Sequence, residues 1–432
     1  SAQPDSAEDS SKQMTTIKTW SGQSLVVLAV QLVLVSPAPE RQLRFPTATS
    51  SETREGETNR CSHMKDLALF SDRLACGSPL AQPCFDFGRC TTTSGIYVYD
   101  ANCSLSDSSA MLAADGTGVG LEKDDSHSHY IGWVFRNAAR EAGVLAESYE
   151  TACVFMHVNR VLNDEPCALR SPLWNNGVNH VMVDFGDWGM GRQPKIVKSF
   201  AMDLASNIPS CMYRSGYDVS LPLAPRRNFH ALAEISPVDR DFFLTFKGTI
   251  YLSGRGSEER MSVVPLHDEE HGVIISAHCF QMHGDSILPE NIGYCQSLKS
   301  YDKEYGYGTL MDTTFGLVPA GRSPGTYRLA EVMGAGAIPV VVARDYILPF
   351  REHFDWPSFS FTFAPDQVGP YMMDVLRAVP QAQLEEMQRL SLEAYREIFG
   401  DTSSLSGPRT YGPIAKRVVD ITMQRVRHRG GR

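Results

Sequence analysis

Residues Leu317–Val342 read LVPAGRSPGTYRLAEVMGAGAIPVVV. The pattern is strand, glycine loop, short helix, glycine turn, strand, a β-α-β unit of a parallel sheet. Neither common phosphate loop fits. A Walker loop needs lysine after the last glycine of G-x-x-x-x-G, and here Thr326 follows Gly325. A dinucleotide fingerprint needs G-x-G-x-x-G, and Gly321 and Gly325 stand alone. Ser323-Pro324 makes a helix start, with Ser323 as N-cap and Pro324 as the first helical residue. Leu329, Val332 and Met333 then share the face that packs on a sheet, and Arg328 and Glu331, three apart, share another. Gly334 and Gly336 stop the helix. Arg322 therefore sits beside a helix N-terminus, whose N–H groups and dipole attract an anion. Cation and dipole suit a diphosphate, and the Glu331 carboxylate suits ribose hydroxyls. An ordinary β-α-β unit with an Arg–Glu surface pair, worth under about 1 kcal/mol, fits the same residues.

The alternation extends in both directions. ACVFMHV (152–158) and HVMVDF (180–185) are apolar runs typical of strands buried on both faces. The spacing of Ile131, Val134, Phe135, Ala138, Ala139 and Ala142 predicts a helix over 129–149. GIYVYD and YDVSLPL read as strands, and IVKSFAMDLAS (196–206) as a helix. A second unit opens with the strand DFFLTFKG, a short helix SEERMSVV with Ser257 as N-cap, and the strand GVIISAHC. A short helix over 305–312, the strand FGLVP and the strand AIPVVVA follow. Residues 381–399 make an amphipathic helix with Leu384, Met387, Ala394, Tyr395 and Ile398 on one side and Gly400 at its end. A last helix is expected over 414–426. The expectation is α/β: two facing Rossmann-like domains, 84–238 and 239–430, a C-terminal helix pair, and a substrate cleft between the domains.

The chain has 432 residues, suiting two or three domains. A net charge of −10 argues against a basic face for duplex nucleic acid, while leaving room for a local basic pocket. Ten cysteines include no C-x-x-C, so spacing gives no support to a zinc site. Cys84 with Cys90 and Cys279 with Cys295 are spaced for small disulfide loops, with buried free thiols as the alternative. Residues 1–83 read as a polar tail or stalk, with weak helix around Met64–Phe70. Within it, Leu25–Val35 is shorter than the ~20 residues that span a bilayer and has the pattern of a signal-peptide core or minimal signal anchor. Asn102-Cys103-Ser104 is an N-glycosylation sequon.

CFDFGRC followed by GIYVYD, LWNNGVNH, YDVSLPL, TFKGTIYLSGRGSEER, the cysteines of AHC and GYC, the Leu317–Val342 stretch and LPFREHFDW occur in this order. Together they resemble the exostosins, glycosyltransferase family 47, over roughly Cys84–Phe399. Within the family they are most similar to the N-terminal catalytic domain of the exostosin-1 type of heparan sulfate glycosyltransferases. The resemblance implies a GT-B fold and inverting transfer from a UDP-sugar to an oligosaccharide or polysaccharide acceptor. For this type it implies glucuronic acid in β1-4 linkage to a GlcNAc-ended chain. It also implies a type II Golgi membrane protein with a lumenal catalytic domain, and homo- or heterodimers with another exostosin-like chain. Donor binding falls in the C-terminal half, on Arg260, Arg322, Ser323, Thr326, Arg328 and Glu331. Many exostosins carry arginine where this chain has Ala320 and Ser323, so the alternatives are another UDP-sugar or an inactive partner subunit. The second transferase domain of the animal polymerases is absent from this sequence, so polymerisation by the chain alone is not expected.

Inverting transfer needs a base for the acceptor hydroxyl and stabilisation of the leaving diphosphate. The arginines and the helix N-terminus supply the second without a metal. The D-x-D at Asp239–Asp241 precedes a strand, which does not suit a metal site. Glu165 and Asp187 are the leading base candidates, with Asp164 and His180 behind them. Asn175, Asn176 and His180 of LWNNGVNH either line the acceptor floor or build a buried turn. His267-Asp-Glu-Glu-His271 fits the H-x-x-E-H zinc-protease motif, but Pro265 upstream and Gly272 downstream leave no room for the required helix.

Overall fold

The computed structural model describes residues 84–90, 95–99, 103, 127–159, 166–186, 199–208, 210–252, 256–280, 304–400 and 411–429. Leu25–Val35, Met64–Phe70, Asn102 and Cys295 lie outside them. All described residues belong to one compact unit, Thr58–Arg432. It contains two five-stranded sheets, and every strand pair in both is parallel.

The first sheet holds β1 (Gly95–Val98), β2 (Ala152–Asn159), β3 (His180–Asp184), β4 (Met202–Ala205) and β5 (Val219–Ser220), in sequential order. Its strands are short and buried on both faces, as near-continuous apolar runs require. The helix expected over 196–206 is corrected: Met202–Ala205 pairs with Val181–Asp184 as a strand. A short apolar run does not tell a buried strand from a helix.

The second sheet holds β6 (Phe242–Tyr251), β7 (Val273–Phe280), β8 (Thr313–Pro319), β9 (Ile338–Val342) and β10 (Phe361–Phe363). Their order is β10-β9-β8-β6-β7. The chain moves outward from β6 to β7, then returns to place β8 on the other side of β6. Strand order therefore reverses between β6 and β8, the topological switch point outside whose carboxyl ends open parallel sheets bind their ligands.

Among the described residues seven α-helices flank the sheets: α1 (Phe87–Cys90), α2 (His127–Glu141), α3 (Ser257–Ser262), α4 (Tyr327–Gly334), α5 (Pro370–Arg377), α6 (Gln381–Phe399) and α7 (Tyr411–Arg429). In α6 the five apolar positions read from the sequence are all buried, and Gly400 ends the helix at φ 75°. Leaving the second sheet, α7 packs on α2 of the first half. Over 305–312 only a single 3-10 turn forms, Thr309–Met311. No described helix is long and apolar enough to cross a membrane.

The disulfide expected between Cys84 and Cys90 is corrected: Cys90 bonds Cys153, tying α1 to β2. Spacing alone does not define partners, and the single turn of α1 places Cys90 against the strand. Cys103 bonds Cys167, joining the segments that follow β1 and β2. Cys84 and Cys279 are disulfide-bonded as well.

Candidate active site

The β6/β8 switch point is shaped by two close backbone approaches. Gly256, at φ +80°, occupies the N-cap position of α3, where Ser257 was expected. A Cβ on Gly256 would stand 2.3 Å from the Gly321 carbonyl oxygen, so only glycine lets α3 meet the loop after β8. That meeting sets Arg260 of α3 beneath the loop. Arg260 Nη1 donates to the Thr249 carbonyl of β6, and its Nε to the Ala320 carbonyl at 3.3 Å. Its guanidinium lies 4.8 Å from the Tyr251 ring centre, and Arg322 lies over the same ring at 5.2 Å. Burial pulls the Arg260 pKa down, and the nearby Tyr251 opposes this.

The helix start differs from the expectation. α4 begins at Tyr327, and Thr326 is the N-cap, its hydroxyl accepting from Arg328 N–H at 3.1 Å. Ser323 instead turns inward, buried, and donates to the Gly325 carbonyl at 3.3 Å. Both residues are cap-forming types, and the extended backbone of Thr326 decides between them. Arg328 is only 5% exposed. It reaches back across the switch point, donating from Nε to Leu317 O of β8 at 2.6 Å and from Nη2 to Thr245 O of β6 at 3.0 Å. Its Nη1 is buried without a hydrogen-bond acceptor among the described residues. Three guanidiniums thus gather around Tyr251 and Phe246, with Arg328 5.5 Å and Arg260 5.9 Å from the Phe246 ring.

Glu331 is 4% exposed. Its Oε1 accepts the backbone N–H groups of Arg226 and Arg227 at 3.2 and 3.1 Å, and its Oε2 accepts the Tyr307 hydroxyl. The carboxylate expected to meet ribose is therefore already hydrogen-bonded to the linker between the two halves. Burial pushes Tyr307 up to about 12, although Arg328 acts in the opposite sense.

The first half faces this loop with the carboxyl ends of its strands. Asn207, just past β4, accepts Gly325 N–H at 3.1 Å and donates to the Gly186 carbonyl past β3. A Cβ on Gly325 would stand 2.4 Å from Ser206 O, so the loop and the first half touch through glycine. Gly186 immediately precedes Asp187. Asp187, Asp164 and Glu165 lie outside the described residues.

His180 is corrected as a base candidate. It is fully buried, with Nδ1 2.9 Å from Val178 O and Nε2 3.0 Å from the Tyr99 hydroxyl. LWNNGVNH is a turn in which Asn175, Asn176, Gly177 and Asn179 all have positive φ. Asn179 holds Asp86 and the Cys153 carbonyl. Asp239–Asp241 stands at the amino end of β6, away from the switch point, where Arg240 pairs with Asp312 at 3.7 Å. His267–His271 contains only the 3-10 turn Glu269–His271, so its histidines do not share a helix face. Cys103, His157 and Cys167 converge, but the two sulfurs are bonded to each other and offer no thiolate.

Sequence reasoning located the arginines but missed Tyr251, Tyr307 and Asn207. The two tyrosines matter through stacking and one carboxylate contact made across the fold, and Asn207 through one contact across the seam. None of these leaves a local pattern.

The family model described as the Exostosin GT47 domain matches residues 96–379, roughly two thirds of the chain. The chain is 26% identical to exostosin-1 of Drosophila melanogaster over 374 residues, covering 79% of this chain and 46% of that protein. It is 24% identical to the exostosin-1 homolog of Caenorhabditis elegans over 328 residues, covering 72% of this chain and 83% of that protein. With exostosin-2 of Mus musculus it shares 25% identity over 324 residues, 71% of this chain and 42% of the relative. The chain thus spans less than half the length of the fly and mouse relatives. Among solved structures, an α,α-trehalose-phosphate synthase from Burkholderia vietnamiensis superposes with a TM-score of 0.32 at 15% identity. That superposition covers 69% of this chain and 78% of the synthase, and is too loose to bear on fold or function.

Proposed function

The chain belongs to the exostosin GT47 family of glycosyltransferases, and from that premise we propose that it transfers a sugar from a UDP-sugar to a glycan acceptor, with inversion. The observation that carries this reading is the convergence of Arg260, Arg322 and Arg328 at the β6/β8 switch point, with Arg328 Nη1 buried without an acceptor among the described residues. Buried, fixed cations stabilise charge developing on a leaving diphosphate without reorganising. They do so without an essential metal, so chelation is expected to leave turnover unchanged. The donor sugar is glucuronic acid, delivered in β1-4 linkage to a heparan-sulfate-like chain. The base comes from the first half, with Glu165 and Asp187 as its candidates. The setting is the Golgi lumen, with Leu25–Val35 as the membrane anchor of a type II protein.

The test is a panel of UDP-sugars with released UDP as the readout, with and without acceptor oligosaccharide. UDP-glucuronic acid is expected to turn over fastest with a GlcNAc-ended acceptor. A different preferred donor would overturn the sugar assignment, and no turnover of any donor would overturn the activity. A second reading, an inactive subunit supporting another exostosin-like chain, is favoured by Ala320 and Ser323. Both are buried, 1% and 6% exposed, where many exostosins carry arginine. Millimolar UDP that fails to bind folded protein would favour it.

A further inference from the structure

We propose that Cys103, Cys167 and His157 are a zinc site masked by a disulfide: once the pair is reduced, two thiolates and one imidazole hold a zinc ion. The site is separate from the sugar-transfer machinery and does not depend on that reading. Among the described residues these three form the one group of histidine, cysteine or carboxylate side chains whose ligand atoms all lie within 4.8 Å of one another. They come from three segments. Cys103 follows β1, His157 lies near the carboxyl end of β2, and Cys167 opens the 3-10 turn Cys167–Arg170 beyond it. His157 is the residue that points to a ligand. It is 6% exposed, and its Nδ1 is buried with no hydrogen-bond partner among the described residues. Its Nε2 faces Cys167 Sγ at 3.5 Å. A disulfide sulfur carries no proton and accepts only weakly, so this buried ring is poorly matched on both nitrogens.

The spacing is that of a metal site. At tetrahedral zinc, a sulfur at about 2.3 Å and a nitrogen at about 2.0 Å stand about 3.5 Å apart. Cys167 and His157 already have that separation. Two sulfurs on one zinc stand about 3.8 Å apart, so breaking the S–S bond and turning the side chain of half-buried Cys103 complete three corners. Water takes the fourth. Thiolates with imidazole select zinc over calcium or magnesium. The chemistry balances with a dithiol as reductant. Its two thiols give up two electrons and two protons and close to a cyclic disulfide, while the Cys103–Cys167 bond breaks to two thiols. Zinc then displaces both protons to solvent, and the Nε2 lone pair joins without proton release. The segments after β1 and β2 thus stay clipped in either state, by a covalent bond or by the ion.

The experiment titrates the full chain with zinc against a colorimetric chelator, before and after treatment with a phosphine, which takes oxygen from water as it reduces the disulfide. The parent is compared with Cys103→Ser/Cys167→Ser and with His157→Ala, and melting temperature reports folding. The site predicts that the reduced parent takes up one zinc ion more than the reduced cysteine variant, and that the two are alike before reduction. It predicts at least tenfold weaker binding of that ion by the histidine variant. X-ray absorption at the zinc edge of the reduced parent, loaded with one equivalent, is expected to show two sulfur and one nitrogen neighbours from the protein. That readout decides the matter where a variant does not fold. Equal uptake by the reduced parent and the cysteine variant, equal affinity in the histidine variant, or a shell of sulfur alone would overturn the proposal. So would a parent that loses its cooperative melting on reduction and does not regain it with zinc.

Discussion

Arg328 is the residue at which the fold and the proposed function meet. Two of its nitrogens satisfy carbonyls of β8 and β6, closing the switch point, and the third is buried without an acceptor among the described residues, where the proposed function puts the diphosphate. Arg328→Met should therefore cost stability as well as ligand affinity, because two buried carbonyls lose their donors at about 1–3 kcal/mol each. Chemical denaturation checks this, and a variant as stable as the parent would show that the carbonyls find other donors. Histidines give a second prediction at this scale. Burial holds His157 and His180 down at about 4, below the ordinary 6.5. The unfolded chain therefore binds more protons between these values, so stability is fully present above pH 6.5 and falls as pH drops toward 4. The loss approaches about 3 kcal/mol per histidine at the lower end. His180→Asn should flatten part of that slope in melting temperature against pH, and an unchanged slope would mean that His180 does not titrate on unfolding.

Elements were legible where their pattern was long or repeated. α6 was readable because nineteen residues keep one apolar face. The β-α-β unit of Leu317–Val342 was readable because its glycines and its apolar strands mark their own boundaries. Its detail was not: Thr326 and Ser323 are equivalent as cap residues, and only the backbone conformation chooses. The strand at Met202–Ala205 was missed because four residues, one of them the buried Asp203, are too few to show a period, and its pairing with β3 is a long-range fact. Disulfide partners were missed for the same reason. The Cys90–Cys153 bond closes a separation of 63 residues between α1 and the amino end of β2. Cys90→Ser/Cys153→Ser should cost about 2–5 kcal/mol. A melting temperature within one degree of the parent would contradict that role.

At the scale of the molecule, two polar clasps are among the contacts that hold the halves together. Asn207 and Gly325 meet beside the switch point. Farther along the seam, Glu352, beyond β9, accepts from Gly216 N–H at 2.7 Å, Tyr213 Oη at 2.9 Å, Ser215 Oγ at 3.2 Å and Arg425 Nη2 of α7 at 2.8 Å. Burial pulls the Glu352 carboxyl up, but Gly216 N–H, Arg425, Tyr213 and Ser215 together hold it below the usual carboxylate range. Glu352→Ala leaves these donors unmatched, and should lower stability by about 1–3 kcal/mol in urea titration. No change would mean that water replaces the carboxylate without loss. Strand runs alternating with helical ones made the two-sheet plan legible in the sequence, whereas the strand order β10-β9-β8-β6-β7 comes from the structure alone. The seam was not legible, because it joins residues far apart in the chain, through single polar contacts and a shared apolar cluster. The central claim is that the β6/β8 switch point holds a nucleotide diphosphate. Its most direct test is calorimetric titration of UDP into the parent and into Arg322→Ala. Saturable binding by the parent and at least tenfold weaker binding by a variant of equal melting temperature is the predicted result. Equal affinity in the two proteins, or no binding by the folded parent at millimolar UDP, would contradict it.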